Sequence, residues 1–489
     1  VTDRDYFLQE RYRDAPPDSG GDGGSSAASA PFEEQAPSNF SQELFFLHNP
    51  PALKEYLAGN SRFPFYRHYG WDQLWKARPS DSPYLDRLAQ IYKGLSLELL
   101  VGLARERGRG KDVLPVPAEP KARWKCVSQF GGAGLANAGI GFECAIVTPR
   151  LGIGGGEKVV RELAAALREL TGRPALIIVA DSEHRGGENV LALCSLNLED
   201  QPFFSAAIPK RAEVLRDIIV SAGIKFVFSI NSFLANYAIQ GEYLSDCAKI
   251  ACAVFSVPLL ASGEIGGFAR DVDWLAPNVD AFFTENALMG SVLREHFFLE
   301  TVHVLDVPEP FRDGPVPTGE NILWASRIDE EKRPELLIEI AKLLPNRNFE
   351  VWGSPLLSGN HYMESILALP NVIYRGPFSS FDELDLREIG CYLYTTRYDG
   401  KPNIVVEAMS RGLVCVATAV GGVPELLGEG RGRLIPSDAG AHAYVSAILD
   451  VFGSDQSPGD GERARAFVRA VHTKENFRNG VQRLLRSMQ

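Results

Sequence analysis

The chain has 489 residues, more than one compact core accommodates, so two or three domains are expected. Its 62 acidic residues against 50 basic ones give a net charge of -12, which excludes a chain-wide electrostatic footprint for nucleic acid. No stretch is long and apolar enough to span a bilayer, and Val1 to Asp5 do not open a signal peptide. Seven scattered cysteines without a CxxC pair fit buried, reduced thiols; with the missing signal peptide, they lead to an expected cytoplasmic location.

In chain order, residues 14–39 are rich in Ala, Pro, Gly, Ser and acidic residues, too polar to offset their ordering entropy, so 1–40 is read as a disordered tail. Residues 41–125 read as a helical N-terminal extension and linker, closed by Pro115, Pro117 and Pro120. Within it, Phe63 to Trp71 is aromatic; packing explains it, and stacking on an acceptor sugar is the alternative. Residues 126–310 then alternate short apolar runs with amphipathic helices. The predicted strands are 144–148, 175–180, 190–196, 225–230, 250–256, 281–284 and 302–307. A Pro/Gly hinge at 311–320 opens the second series, 311–489, with strands at 321–325, 348–352, 371–374, 391–395, 414–418 and 433–435 and a terminal helix from about 458 to 488. Continuously apolar strands between helices indicate parallel sheets covered on both faces. The fold class is therefore α/β, with two doubly wound Rossmann-like domains and a ligand site in the cleft between them.

The residues that carry chemistry sit just past the predicted strands. After the 391–395 strand come Arg397-Tyr398-Asp399-Gly400-Lys401-Pro402-Asn403, then a helix carrying Glu407. Proline suits a helix start, and the free amides of a first turn can hold an anion. Asp399 and Glu407 offer two carboxylates to sugar hydroxyls beside that helix end. After the 321–325 strand, Arg327 and Lys332 supply a planar fork and a compact charge, a pair suited to a diphosphate, although a solvated loop would look the same. In the first series, Gly154-Gly155-Gly156-Glu157 joins a strand to a helix; the glycines allow close approach of a ligand, or simply tight packing. Asn231 and Ser232 follow another strand and are candidate acceptor contacts. The Asp271-Val272-Asp273 tripeptide has a metal-binding form, but such tripeptides arise by chance. The eight histidines form no metal-like pair, so no metal site and no cofactor are expected.

Taken together, Ala325-Ser326-Arg327 through Lys332, the Asp399 to Met409 block and Gly421-Gly422-Val423-Pro424-Glu425 follow in an order that resembles the family 4 glycosyltransferases over residues 143–450. That resemblance implies the two-domain GT-B fold and sugar transfer with retention of configuration, without a required metal. It assigns Arg327 and Lys332 to the donor diphosphate and Glu407 to the ribose. Asp399 stands where a glutamate usually holds the donor sugar, and is grouped with Arg327 and Lys332 as catalytic. Gly400, Pro402, Asn403, Gly155 and Gly156 are the further donor contacts it implies. The Tyr-Asp-Gly-Lys-Pro-Asn form with a helical extension resembles bacterial polysaccharide and O-antigen enzymes. It implies a glycan or lipid-linked glycan acceptor; peripheral association at the inner face of the membrane is the alternative to a free cytoplasmic location. A sugar-nucleotide epimerase of the related fold and a non-catalytic glycan- or nucleotide-binding subunit stay open as alternatives.

Overall fold

The computed structural model describes residues 142–489, apart from 153, 183, 185–188, 196–202, 204–207, 241, 257–266, 296, 356–359 and 455–456. The expectations for the 1–40 tail and the 41–125 extension, its aromatic stretch included, lie outside the described residues.

Two parallel sheets carry the fold. The first holds β1 (Cys144–Thr148), β2 (Leu176–Val179), β3 (Val190–Ala192), β4 (Phe226–Ser229), β5 (Lys249–Ala253), β6 (Ala281–Thr284) and β7 (Val302–Val304), in the order β3-β2-β1-β4-β5-β6-β7. Its helices are α1 (Gly155–Thr171), α2 (Ile208–Ser221), α3 (Phe233–Ile239), α4 (Glu242–Cys247), α5 (Val272–Leu275) and α6 (Ala287–Glu295). The second sheet holds β8 (Asn321–Ala325), β9 (Phe349–Trp352), β10 (Val372–Gly376), β11 (Ile389–Tyr394), β12 (Val414–Thr418) and β13 (Gly432–Ile435), in the order β10-β9-β8-β11-β12-β13. Its helices are α7 (Pro334–Leu343), α8 (Asn360–Leu367), α9 (Asn403–Ser410), α10 (Val423–Leu427), α11 (Ala441–Gly453) and α12 (Ser457–Val471); α13 (Lys474–Ser487) ends the chain.

Both faces of each sheet are buried, as the apolar strands require. In β1, Cys144 and Ile146 enter one core while Ala145 and Val147 enter the other. In β8, Ile322 and Trp324 oppose Leu323 and Ala325 in the same way. These are two Rossmann-like domains. In each, strand order reverses once, between β1 and β4 and between β8 and β11, which opens a crevice at the carboxyl ends of those four strands. The predicted site residues follow these four strands: the glycine turn after β1, Asn231 and Ser232 after β4, Arg327 and Lys332 after β8, and Asp399 after β11.

The predicted terminal helix is two helices. α12 ends at Val471, and Thr473 restarts the chain by accepting the Asn476 amide at 3.0 Å as the N-cap of α13. The break redirects the chain: α12 packs on the second domain, with Ala464 and Val468 in its core, whereas Phe477, Val481 and Leu484 of α13 and Met488 just past it fill the core of the first domain. Gly480 permits that docking, because a Cβ there would lie 2.7 Å from Leu305 Cδ2. Among the described residues, no helix is long and apolar enough to cross a membrane.

Candidate functional site

The loop after β8 is built to present cations. Asp329 accepts the Lys332 amide at 3.2 Å and pairs with the Arg327 guanidinium at 3.0 Å. Arg333 takes a left-handed backbone (φ 54°), and Pro334 then starts α7. The loop is fastened to the loop after β11. Thr395 Oγ1 donates to the Lys332 carbonyl at 2.8 Å, and the Arg397 amide donates to the Glu331 carbonyl at 2.8 Å. Lys332 and Asp399 thereby meet at 2.8 Å, although 67 residues separate them in sequence.

Lys332 is buried, and its ammonium has three donors. They reach Asp399 at 2.8 Å, Glu331 at 2.9 Å and the Tyr394 hydroxyl at 3.1 Å. Burial alone would lower its pKa; the charges of Asp399, Tyr394 and Glu331 outweigh burial and hold it well above the usual lysine range. For Asp399, burial pushes the pKa up, but the Lys332 charge and the hydrogen bonds from Lys332, Tyr394 and Gly400 bring it below the ordinary value. Arg327 is half exposed and adds a second link, to Glu331 at 3.0 Å. The cations thus form a pre-built network with their own acids. A phosphate reaching Lys332 must displace one of those acids, while Arg327 keeps an edge toward solvent.

Pro402 is the N-cap residue of α9 rather than its first helical residue, and its carbonyl accepts the Val405 and Val406 amides. The first turn of α9 lies against the glycine turn of the other domain. A Cβ at Gly155 would sit 3.1 Å from Asn403 Nδ2, and one at Gly156 would sit 2.9 Å from Asn231 Nδ2. Asn231 itself adopts a left-handed backbone (φ 51°), which Asn tolerates better than most residues. Ser232 is not placed like its neighbour: it is fully buried, and its hydroxyl accepts the Ala235 amide to cap α3. Glu407 faces the first domain, 3.8 Å from Lys158 of α1, and Lys158 also binds Glu309 at 2.5 Å. Burial raises the Glu407 pKa to about 7, opposed by Lys158 and Arg411 and assisted by Glu309 and Asp382. Asp271 of the Asp-Val-Asp tripeptide is buried in the first domain, where it accepts Asn236 at 3.1 Å, so it has a structural partner.

Residues 319–454 match the family described as Glycosyl transferases group 1. That stretch is similar to group 1 glycosyltransferase domains. No curated protein matches the chain. Among solved structures, the chain is similar to sucrose-phosphate synthase from Thermosynechococcus elongatus (TM-score 0.59, 17% identity, covering 71% of this chain and 98% of that one). It is also similar to Anabaena HepE in complex with UDP and glucose (0.55, 16%, 71% and 100%). A third is the pneumococcal O-GlcNAc transferase GtfA in complex with UDP and GlcNAc (0.55, 13%, 71% and 99%). The two Rossmann-like domains are the GT-B fold.

Several residues that shape the second domain have no role assigned from sequence. Tyr394 looks like one more apolar strand residue, yet its hydroxyl reaches both Lys332 and Asp399. Lys401 lies inside the quoted block, yet it points away from the cations. Its buried ammonium binds Asp306 of the first domain at 2.5 Å together with Glu425 of α10. Glu425 in turn accepts the Ala287 amide at 2.8 Å, a second bond between the domains. Only the charge of Lys401 in an otherwise Gly/Pro turn hinted at this.

Proposed function

We propose that this protein is a retaining glycosyltransferase that moves a sugar from a nucleotide-diphosphate donor to a glycan acceptor. The observation that carries the reading is convergence. Residues after all four switch-point strands meet, with Arg327, Lys332, Asp399 and the start of α9 on one side and the Gly155–Gly156 turn and Asn231 on the other. A guanidinium, an ammonium and a helix N-terminus suit a leaving diphosphate, whose charge grows in the transition state. In this reading Arg327 grips the diphosphate directly and Lys332 exchanges Glu331 for it. Asp399 holds the sugar hydroxyls, with the Gly400 amide steadying its carboxylate at 2.8 Å, and Glu407 holds the ribose. Attack occurs on the face the diphosphate leaves, and the departing phosphate oxygen takes the acceptor proton, so no side-chain base and no metal are needed. The UDP-bound complexes of HepE and GtfA make UDP-sugars the first donors to test. Assembly of a bacterial surface polysaccharide, at the inner face of the membrane where nucleotide sugars are made, is the setting we favour.

The test is incubation with a panel of labelled nucleotide sugars, with and without glycan acceptors and a chelator. Acceptor-dependent release of nucleoside diphosphate, unchanged by the chelator, and a product with the donor's anomeric configuration are expected. Isomerised donor without acceptor would replace transfer by epimerisation, and binding without turnover would leave a non-catalytic subunit.

A further inference from the structure

Glu285 follows β6 and is buried, in the first domain but against the turn that carries Asp399. Its Oε1 accepts the Lys401 amide at 2.8 Å. A Cβ at Gly400 would lie 2.3 Å from that oxygen and 2.7 Å from the Phe255 carbonyl, so Gly400 rests directly on both. From the opposite side, the Gly422 amide donates to the Gly400 carbonyl at 2.5 Å. The Asp399–Gly400–Lys401 turn is therefore held between a first-domain carboxyl and the start of α10.

The charges around Glu285 are unfavourable to an anion. From the loop after β11 it faces Asp399 and Lys401, and from the segment after β7 it faces Asp306. The Lys401 ammonium is bound by Asp306 and by Glu425 of α10, and Lys332 by Asp399 and Glu331. Among the described residues no cation is ion-paired with Glu285. Burial is the largest influence and raises its pKa to about 8; the Lys401 amide bond and ammonium lower it, and Asp399 and Asp306 raise it.

We propose that Glu285 is a positioning residue for sugar transfer, seating the Asp399 turn from the other domain as an uncharged carboxylic acid without touching substrate. The proposal rests on Asp399 lying at the donor site, as read above. Ionised, Glu285 would repel Asp399 and Asp306 and push the turn off its seat, and a displacement of about 1 Å costs on the order of 100-fold in rate.

The experiment compares full-length wild type, Glu285→Gln and Glu285→Ala, with turnover of UDP-glucose and the other panel donors followed across pH. In parallel, an infrared difference spectrum between about pH 6 and pH 9 follows the protonated-carboxyl band, and thermal melts check folding. Glu285→Gln should keep turnover within about twofold at neutral pH, because it preserves shape and neutrality. It should also stay active above pH 8, where wild type falls roughly tenfold. Glu285→Ala should lower kcat at least tenfold, roughly, with little change in donor KM. The wild-type infrared band should contain a component that vanishes with a midpoint near pH 8 and is missing in Glu285→Gln, beside the Glu407 component near pH 7 that both proteins share. A folded Gln variant as inactive as the Ala variant, or a wild-type band without the component that Glu285→Gln removes, overturns the proposal. A wild type with no turnover on any nucleotide sugar defeats the transfer reading instead, while the infrared band still reports the proton.

Discussion

Arg327 and Lys332 carry different shares of one task. Lys332 is buried within three protein contacts, so Lys332→Ala leaves Asp399 and Glu331 facing each other without their cation. Turnover should fall on the order of 100-fold or more, with Asp399 titrating at a higher pH. Arg327→Ala removes a half-exposed group and should cost roughly tenfold to 100-fold with stability little changed; turnover and melting curves of both variants check this. Glu407 gives a pH signature. With a pKa near 7 it is mostly neutral below that pH and mostly ionised above it. A carboxylate accepting ribose hydroxyls should therefore tighten nucleoside diphosphate binding as pH rises through about 7. Lys158→Ala removes the nearest opposing charge, raises the Glu407 pKa further, and should move that binding curve to higher pH; calorimetric titration at several pH values measures it. The same shift has a stability consequence. Folded Glu407 binds its proton more tightly than the unfolded chain does. Its stabilisation is complete below the unfolded value and is lost as pH rises through about 7, so Glu407→Gln should melt relatively higher at pH 8 than at pH 5.

At the scale of elements, close approach decides which substitutions matter. Gly421 has φ 51°, and a Cβ there would lie 1.9 Å from the Asp399 carbonyl oxygen. Gly421→Ala combines an unfavourable backbone with a steric conflict and should cost about 1–3 kcal/mol in a denaturant melt. It should lower turnover more than its stability loss explains, because the displaced atoms belong to the Asp399 turn. Much of this level was legible in sequence. Every predicted strand exists, and 144–148, 281–284, 321–325 and 414–418 have the predicted bounds, because continuous apolar runs ending at polar Gly-rich turns mark buried parallel strands. The misses have local causes. Leu193 and Cys194 continue the apolar run after β3 but Leu193–Ser195 form a 3-10 helix, and the terminal helix reads as one across Thr473 because apolar periodicity resumes on its far side. That Arg327, Lys332 and Asp399 lie just past strands at the switch points was legible too. Their partnerships were not: Lys332 with Tyr394, or Glu285 with Lys401, join segments 62 and 116 residues apart, and local pattern carries no information on such pairs.

Across the whole molecule, the domains are fastened by ion pairs and by α13, and also meet through glycine. The fastening runs through Lys401 to Asp306, Glu425 to the Ala287 amide, and α13 in the first core. The crossover is closed by His472, whose Nδ1 meets the Val307 carbonyl at 2.8 Å while its carbonyl accepts the Glu309 amide at 2.9 Å. Lys401→Ala would strip Asp306 and Glu425 of their shared cation. Both carboxylates keep some solvent, so the loss should be about 1–3 kcal/mol rather than the 3–5 of a fully buried pair, read from a denaturant melt. Gly155 brings the first domain against Asn403 of the second, and Gly156 lies against Asn231 of its own domain, where a diphosphate could be held by both domains together.

A structure of the protein with UDP bound decides most directly whether that is where the donor sits. The diphosphate oxygens should lie within hydrogen-bond distance of the Arg327 guanidinium and the first amides of α9, with Lys332 turned from Glu331 to phosphate and the ribose on Glu407. UDP bound away from these four groups, or bound with Lys332 still on Glu331, would contradict it.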